Sequence, residues 1–355
     1  MSKIKAAIIG VGGISKHHIE GYLKREDVEL YAFCDINEEQ LKARGEQYGI
    51  TRLYTDKDEM FATLPEIDAV SVCTWNSQHA PCTIAALNAG CHVICEKPMA
   101  TSAKEAKAMK EAAQKNGKLL MIGFVRRFGN DCQIFEEFRD SDYFGEMYYG
   151  KATYLRRHGS PGGWFGDKSR SAGGPLIDLG VHVIDLTRYL MGNPKPISVY
   201  GATFHKLADR PGVKKAKGTY KSLSRVEETI FDVEDLASAM IRYDNGAVIH
   251  VEASFSLNIK NNIGCIEMFG TKGGAKIDPE LELYSVANGH MTNTQLVTPT
   301  ALSFDGLFEN EISHFIDCVT QGVPCKSPAD DGIAIMQILD AIYESAKTGH
   351  EVVIG

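Results

Sequence analysis

The sequence contains no Cys-x-x-Cys pair and no apolar run approaching the ~20 residues that a membrane-spanning helix needs. It also lacks a basic excess: 38 Lys and Arg stand against 46 Asp and Glu, for a net charge of −8. That balance leaves no electrostatic footprint for nucleic acid or an anionic membrane. The chain enters a strand-like run by Ile4, which leaves no room for the charged and apolar regions of an export signal. Nine cysteines, an odd number, stand at 34, 73, 82, 91, 95, 132, 265, 318 and 325, several within apolar runs such as Val70–Cys73 and Val93–Cys95. This usage fits buried, reduced thiols better than a disulfide framework, and the expected location is the cytoplasm. With 44% hydrophobic and 24% charged residues the chain is neither disordered nor fibrous.

At 355 residues, two domains are expected on a prior of ~150 residues each. In the first third, apolar runs (5–9, 28–34, 69–73, 92–95, 119–122) alternate with helical patterns (to about 24, 38–48, 80–88, 102–116). Such alternation predicts an α/β domain, a doubly wound parallel sheet with helices on both faces, over residues 1–125. After Phe124 long strand candidates follow one another: 147–155, 197–203, 236–243 and 247–254, the last two joined by the hairpin signal Asp244-Asn245-Gly246. Another turn, Thr271–Gly274, separates 263–269 from 275–277. A second α/β domain with a large, mostly antiparallel sheet is expected over 126–355, with a long polar loop at 205–227 and helices at 308–320 and 330–347.

Gly10-Val11-Gly12-Gly13-Ile14-Ser15 follows the first strand and opens the first helix. Glycines in that setting let the backbone approach a pyrophosphate at a helix N-terminus. Ser15 occupies the place of the usual third glycine, where a small residue still permits close packing. The plainer reading is an ordinary tight turn. Asp35, at the end of the second strand and 20 residues beyond Ser15, strengthens the dinucleotide reading. A carboxylate there accepts hydrogen bonds from the ribose hydroxyls and repels a 2′-phosphate. The following Ile36 and Asn37 supply no arginine for such a phosphate, so NAD is favoured over NADP; a solvated or helix-capping aspartate is the alternative.

Cys95-Glu96-Lys97-Pro98 ends the fifth strand, at the sheet edge where ligands of open α/β sheets bind. Lys97 is either a solvated lysine or, in a closed cleft, a group that stabilises a developing alkoxide. The third signal is Gly173-Gly174-Pro175, which opens an apolar helix from Leu176 to Met191, followed by Gly192. Its polar exceptions, Asp178, His182 and Asp185, are spaced to share one face. A polar stripe on a buried helix either satisfies itself internally or lines a cleft. His182 with an aspartate one turn away is a candidate general base. A metal reading of Asp178 and His182 needs a third ligand that no recognisable spacing provides, so no metal is expected.

Taken in order, Gly10–Gly13, Asp35, Glu96-Lys97-Pro98 and Gly173–His182 resemble the glucose–fructose oxidoreductase/inositol dehydrogenase (Gfo/Idh/MocA) family, and the likeness extends to the ending Asp340–Ala346. The resemblance implies a Rossmann domain, an α/β domain that often forms subunit contacts, and NAD-dependent oxidation or reduction of a secondary hydroxyl of a sugar, glycoside or inositol. It implies Lys97, Asp178 and His182 as the catalytic set. Cofactor contacts fall on Gly10, Gly12, Gly13, Ile14, Asp35, Ile36, Glu96 and Lys97, with Thr74, Asn76 and His79 near the nicotinamide. Arg127, His158 and Trp164 join the catalytic set around the substrate. A homo-oligomer, dimer or tetramer, is expected. Two other classes share the motifs: a redox-neutral glycosidase or lyase that recycles its NADH, and a non-catalytic sugar- or NAD-sensing regulator.

Overall fold

The apolar runs of the first third form six parallel strands, β1 (Ile4–Ile9), β2 (Val28–Cys34), β3 (Leu53–Tyr54), β4 (Ala69–Val72), β5 (His92–Glu96) and β6 (Leu120–Gly123). They lie in the order β3-β2-β1-β4-β5-β6. Between them run α1 (Ser15–Leu23), α2 (Glu38–Tyr48), α3 (Lys57–Thr63), α4 (His79–Asn88) and α5 (Ala103–Asn116). β4 and β6 are buried at every residue, as a sheet covered by helices on both faces requires. The strand order reverses between β1 and β4, so the loops after these two strands border the crevice in which doubly wound sheets bind ligands.

The computed structural model describes residues 3–210, 212–214, 222 and 230–355. Of the loop expected at 205–227, residues 211, 215–221 and 223–227 lie outside the described residues. From Arg126 onward the chain builds α6 (Asn130–Asp140), β7 (Met147–Leu155), α7 (Lys168–Ser171), α8 (Val181–Leu190), β8 (Pro196–Phe204), β9 (Leu236–Tyr243), β10 (Val248–Ser254), β11 (Ile263–Gly270), β12 (Gly273–Ile277), β13 (Glu282–Ala287) and β14 (His290–Thr294). After two helices, α9 (Leu307–Gln321) and α10 (Ala329–Thr348), the short β15 (Val352–Val353) completes a nine-stranded sheet of order β14-β13-β12-β11-β7-β10-β9-β8-β15. All neighbours are antiparallel except β7 and β10. The Asn-Gly signal makes its hairpin, with Arg242 opposite Val248. The alternation is visible across β8 and β9: Val199 pairs with Ile241 on the buried face, and Tyr200 with Met240 on the other.

Two features depart from the linear reading. The helix expected from Leu176 is interrupted, since Leu176–Gly180 is a π-helical turn and the α-helix begins at Val181. The division at residue 125 also misses a return of the chain, because Asp305–Met336 groups with the first unit. The reason is packing on α1: Phe308 stacks on His17 at 4.3 Å, and Arg25 pairs with Asp317 at 2.8 Å. The main chain continues the attachment, with the Ile122 amide donating to the Ser327 carbonyl at 2.9 Å.

Gly21 sits where α1 meets α9, and a Cβ there would lie 2.9 Å from Ile312 Cβ and Cγ1. Gly21→Val is therefore expected to destabilise the protein by about 1–3 kcal/mol in urea unfolding, with part of the loss recovered by adding Ile312→Ala.

Candidate active-site residues

The glycine turn is shaped by its own backbone at one end and left open at the other. Gly10 has φ +87°, and a Cβ on it would lie 2.6 Å from the Cys73 carbonyl oxygen. Only glycine fits that conformation and that approach. Gly12 differs: the nearest atom to a Cβ there would be Gln40 Nε2 at 3.9 Å. The protein's packing gives no reason for glycine at this position. Its bareness keeps the amide face of the turn open, as a pyrophosphate requires. Gly13 and Ile14 are half-buried beside it, and the buried Ser15 donates its hydroxyl to the Gly12 carbonyl at 2.7 Å.

Asp35 binds the turn from the second strand. Its Oδ2 accepts from the Val11 amide and its Oδ1 from the Asn37 amide, both at 2.8 Å. Each oxygen keeps a further lone pair for a ribose hydroxyl, and Ile36 beside it is exposed. The sequence reading missed two neighbours, Gln40 and Arg44, one helical turn apart on α2. Gln40 Nε2 and Arg44 Nε donate to the Val11 carbonyl at 2.7 and 3.3 Å. The residues at this turn fit a dinucleotide.

Beyond β4, the half-buried Thr74 donates to the Trp75 carbonyl at 3.2 Å, and Asn76 is buried. His79 is wholly buried, with Nδ1 2.6 Å from the Pro98 carbonyl and Nε2 3.1 Å from the Thr74 carbonyl. Burial lowers its pKa, and the two carbonyls, which favour the charged ring, oppose the fall. The imidazole joins the loop after β4 to the turn after β5. In that turn the Lys97–Pro98 bond is cis and Lys97 is half-buried. Glu96 is buried, with Oε1 on His18 Nε2 at 2.9 Å and Oε2 accepting from the Lys97 amide at 3.2 Å.

In the second unit, the glycines of Gly173-Gly174-Pro175 are required because a side chain and a main-chain carbonyl come close to them. A Cβ on Gly173 would lie 2.0 Å from Tyr343 Oη, and one on Gly174 would lie 2.2 Å from the Glu234 carbonyl. Glu234 is buried, and its carboxylate accepts from the amides of Gly174 (3.0 Å) and Leu176 (3.2 Å) and from Tyr343 Oη (2.9 Å). Burial raises its pKa, and these bonds oppose the rise. An acidic group thus receives the first amides of the helix, where the helix dipole favours it. Neither Glu234 nor its partnership with Tyr343 was found from sequence, since 60 and 109 residues separate the partners.

The three polar residues expected on one helix face separate into two kinds. Asp178, in the π turn, and His182, in the first turn of α8, are half-buried among buried neighbours. Asp185 is only 1% exposed and takes a forked ion pair from Arg127, itself 0% exposed, at 2.6 and 3.0 Å. Arg127 also lies over the Tyr189 ring, 4.4 Å from its centroid. His158 and Trp164 lie on the segment between β7 and α7, both half-buried, with Trp164 stacked on Phe165 at 4.2 Å.

Profiles of an oxidoreductase family match almost the whole chain: its NAD-binding Rossmann fold over residues 4–124 and its C-terminal alpha/beta domain over residues 141–354. The chain belongs to this oxidoreductase family. The sequence is 36% identical to D-glucoside 3-dehydrogenase of Escherichia coli over 99% of this chain and 97% of that protein. It is 34% identical to levoglucosan dehydrogenase of Pseudarthrobacter phenanthrenivorans over 79% of this chain and 78% of that protein. Among solved structures it resembles the aldose–aldose oxidoreductase of Caulobacter crescentus, with a TM-score of 0.80, 26% identity and 99% of each chain covered. The first domain of this family member is therefore an NAD-binding Rossmann domain, as the glycine turn and Asp35 indicate. Among the described residues no helix is long and apolar enough to cross a membrane.

The two glycines of the turn predict opposite phenotypes. Gly12→Ala is expected to leave unfolding free energy within about 0.5 kcal/mol of the parent while raising the Kd for NAD+ at least about tenfold in a fluorescence titration. Gly10→Ala is expected to cost about 1–3 kcal/mol of stability before any nucleotide is added.

Proposed function

We propose that this oxidoreductase oxidises a secondary hydroxyl of a glucoside or related sugar, giving the 3-oxo sugar and NADH. The observation that carries the reading is the 36% identity with D-glucoside 3-dehydrogenase across 99% of the chain. Inositols, the substrates named for more distant relatives at 25% identity, form the second substrate class to test.

NAD+, when bound, supplies the hydride acceptor; the chain's own residues handle the rest of the charge. His182, a side chain that ordinarily titrates at ~6.5, takes the hydroxyl proton. Asp178 orients the imidazole and favours its protonated form. Lys97 stabilises negative charge on the substrate oxygen. Asp35 accepts the adenosine ribose hydroxyls and selects NAD over NADP. Thr74, Asn76 and His79 lie on the nicotinamide side, and His158 and Trp164 cover the sugar. Arg127 serves the substrate side through Asp185, which it anchors within the helix that carries His182.

The proposal includes a cytoplasmic homo-oligomer, a dimer or tetramer. Nine free thiols support the reducing compartment, and the uncovered pair Tyr200 and Met240 on β8 and β9, 57% and 49% exposed, supports a sheet-face contact.

A panel of glucosides, aldoses and inositols with NAD+, followed by NADH absorbance, tests the reaction; stoichiometric NADH is expected with a glucoside. A redox-neutral enzyme would release none. Lys97→Ala and His182→Ala are each expected to lower kcat by about 10²–10⁴-fold and leave the Kd for NAD+ within about twofold. Near-parental turnover in either variant overturns the assignment. Asp35→Ala is expected to shift the NAD+/NADP+ preference toward NADP+.

A further inference from the structure

Within the first unit, α1, β4, β5 and α9 enclose a set of buried polar side chains. His18, Ser71 and Glu311 are each 0% exposed and Glu96 is 6% exposed. His18 spends both ring nitrogens: Nδ1 lies 3.1 Å from Ser71 Oγ, and Nε2 lies 2.9 Å from Glu96 Oε1. Ser71 Oγ is also 2.8 Å from Tyr22 Oη. The second Glu96 oxygen accepts from the Lys97 amide. Glu311, from α9, is the exception. Both of its carboxyl oxygens are buried without a hydrogen-bond partner, although the polar atoms of His18, Glu96 and Glu311 all lie within 4.8 Å of one another.

Two carboxylates this close in the interior cannot both carry charge. Their partners decide which one is neutral. Burial works against ionising Glu96, but the His18 hydrogen bond and charge overcome it and hold the carboxyl below its ordinary range. Glu311 has no such help: burial and then the Glu96 charge push it well above that range. The other titratable groups around the pair are His18 and Tyr22 on α1, Cys73 after β4, His79 on α4, and Lys97. A divalent cation could neutralise the two acids. It would need an ionised Glu311 and the Nε2 position that His18 now gives to Glu96, so the existing hydrogen bonds favour a proton.

We propose that Glu311 is a positioning residue, a neutral carboxylic acid whose proton is directed at Glu96. In this arrangement Glu96 remains ionised, holds His18 on one oxygen and the Lys97 amide on the other, and fixes the turn that carries the Lys97 ammonium. The return of residues 305–336 to the first unit then has a chemical purpose, since α9 delivers the proton that lets a buried carboxylate sit directly before Lys97. This inference rests on the proposed role of Lys97.

The full-length protein without cofactor is examined by difference infrared spectroscopy against Glu311→Gln. A carbonyl band of a buried protonated carboxyl, present in the parent at neutral pH and missing in the variant, is expected. In steady-state assays Glu311→Leu, which removes the proton donor without leaving a charge, is expected to lower kcat by about 10- to 100-fold with the KM for NAD+ within about twofold, whereas Glu311→Gln, a neutral donor, stays within about threefold of the parent. The proposal is overturned by absence of the band, by equal kcat in the Leu and Gln variants, or by a stoichiometric divalent metal in the purified protein. The infrared result stands whether or not Lys97→Ala is active, so failure of the catalytic reading is distinguishable from failure of this one.

Discussion

A carboxylate taken out of water has to find donors inside the protein, and this requirement places the segments that carry Lys97, Asp178 and His182. Glu96 finds its donors in His18 and in the amide of Lys97. Glu234 finds them in the amides of Gly174 and Leu176 and the hydroxyl of Tyr343. Asp185 finds them in the fork of Arg127. In each case the acid grips either the main chain of a functional segment or the helix on which His182 stands. Removing one partner of such a pair typically costs about 3–5 kcal/mol, so the surroundings of Lys97, Asp178 and His182 resist displacement. Side chains held this way lose little geometry to thermal motion, which is what the proposed proton and hydride transfer would need from them.

The sequence showed what depends on short chain distances. The glycine turn and the strand-end aspartate are local demands of a βα crossing, and Gly10, Gly12 and Asp35 were legible because main-chain conformation and spacing alone identify them. The parallel sheet of the first domain is legible in the alternation, and the β9–β10 hairpin in Asn245-Gly246; the strand order is not. Tertiary pairing was not legible. Glu234 and Glu311 look like any other glutamates in the sequence, since what distinguishes them is burial against groups 60 or more residues away. The amphipathic pattern of α9 says that one face is covered; it cannot say that α1 covers it, and so the return of residues 305–336 was lost. The stripe Asp178–His182–Asp185 was read correctly as polar residues on a buried helix. Spacing cannot separate the member satisfied by an arginine from those that stay half-exposed, and the π turn at Leu176–Gly180 further alters the register.

The glycines sharpen this distinction between what the fold needs and what a ligand needs. Gly10 is required by a left-handed φ and a carbonyl that a Cβ would strike, so its presence alone says nothing about a nucleotide. Gly173 and Gly174 are required by Tyr343 and Glu234, which lie where their side chains would be. Gly12 has neither constraint. A bare Cα at a helix N-terminus, with Gln40 Nε2 at 3.9 Å the nearest atom a Cβ would meet, leaves room for a group the protein is built to receive. The same test applies to the charged residues. Asp185 and Arg127 are buried and pair with each other, whereas Asp178 and His182 keep partial exposure on a helix whose other residues are almost all buried. Residues kept at that boundary stay within reach of a ligand, and in the proposed reaction their use is the proton that must leave an alcohol as its hydride departs.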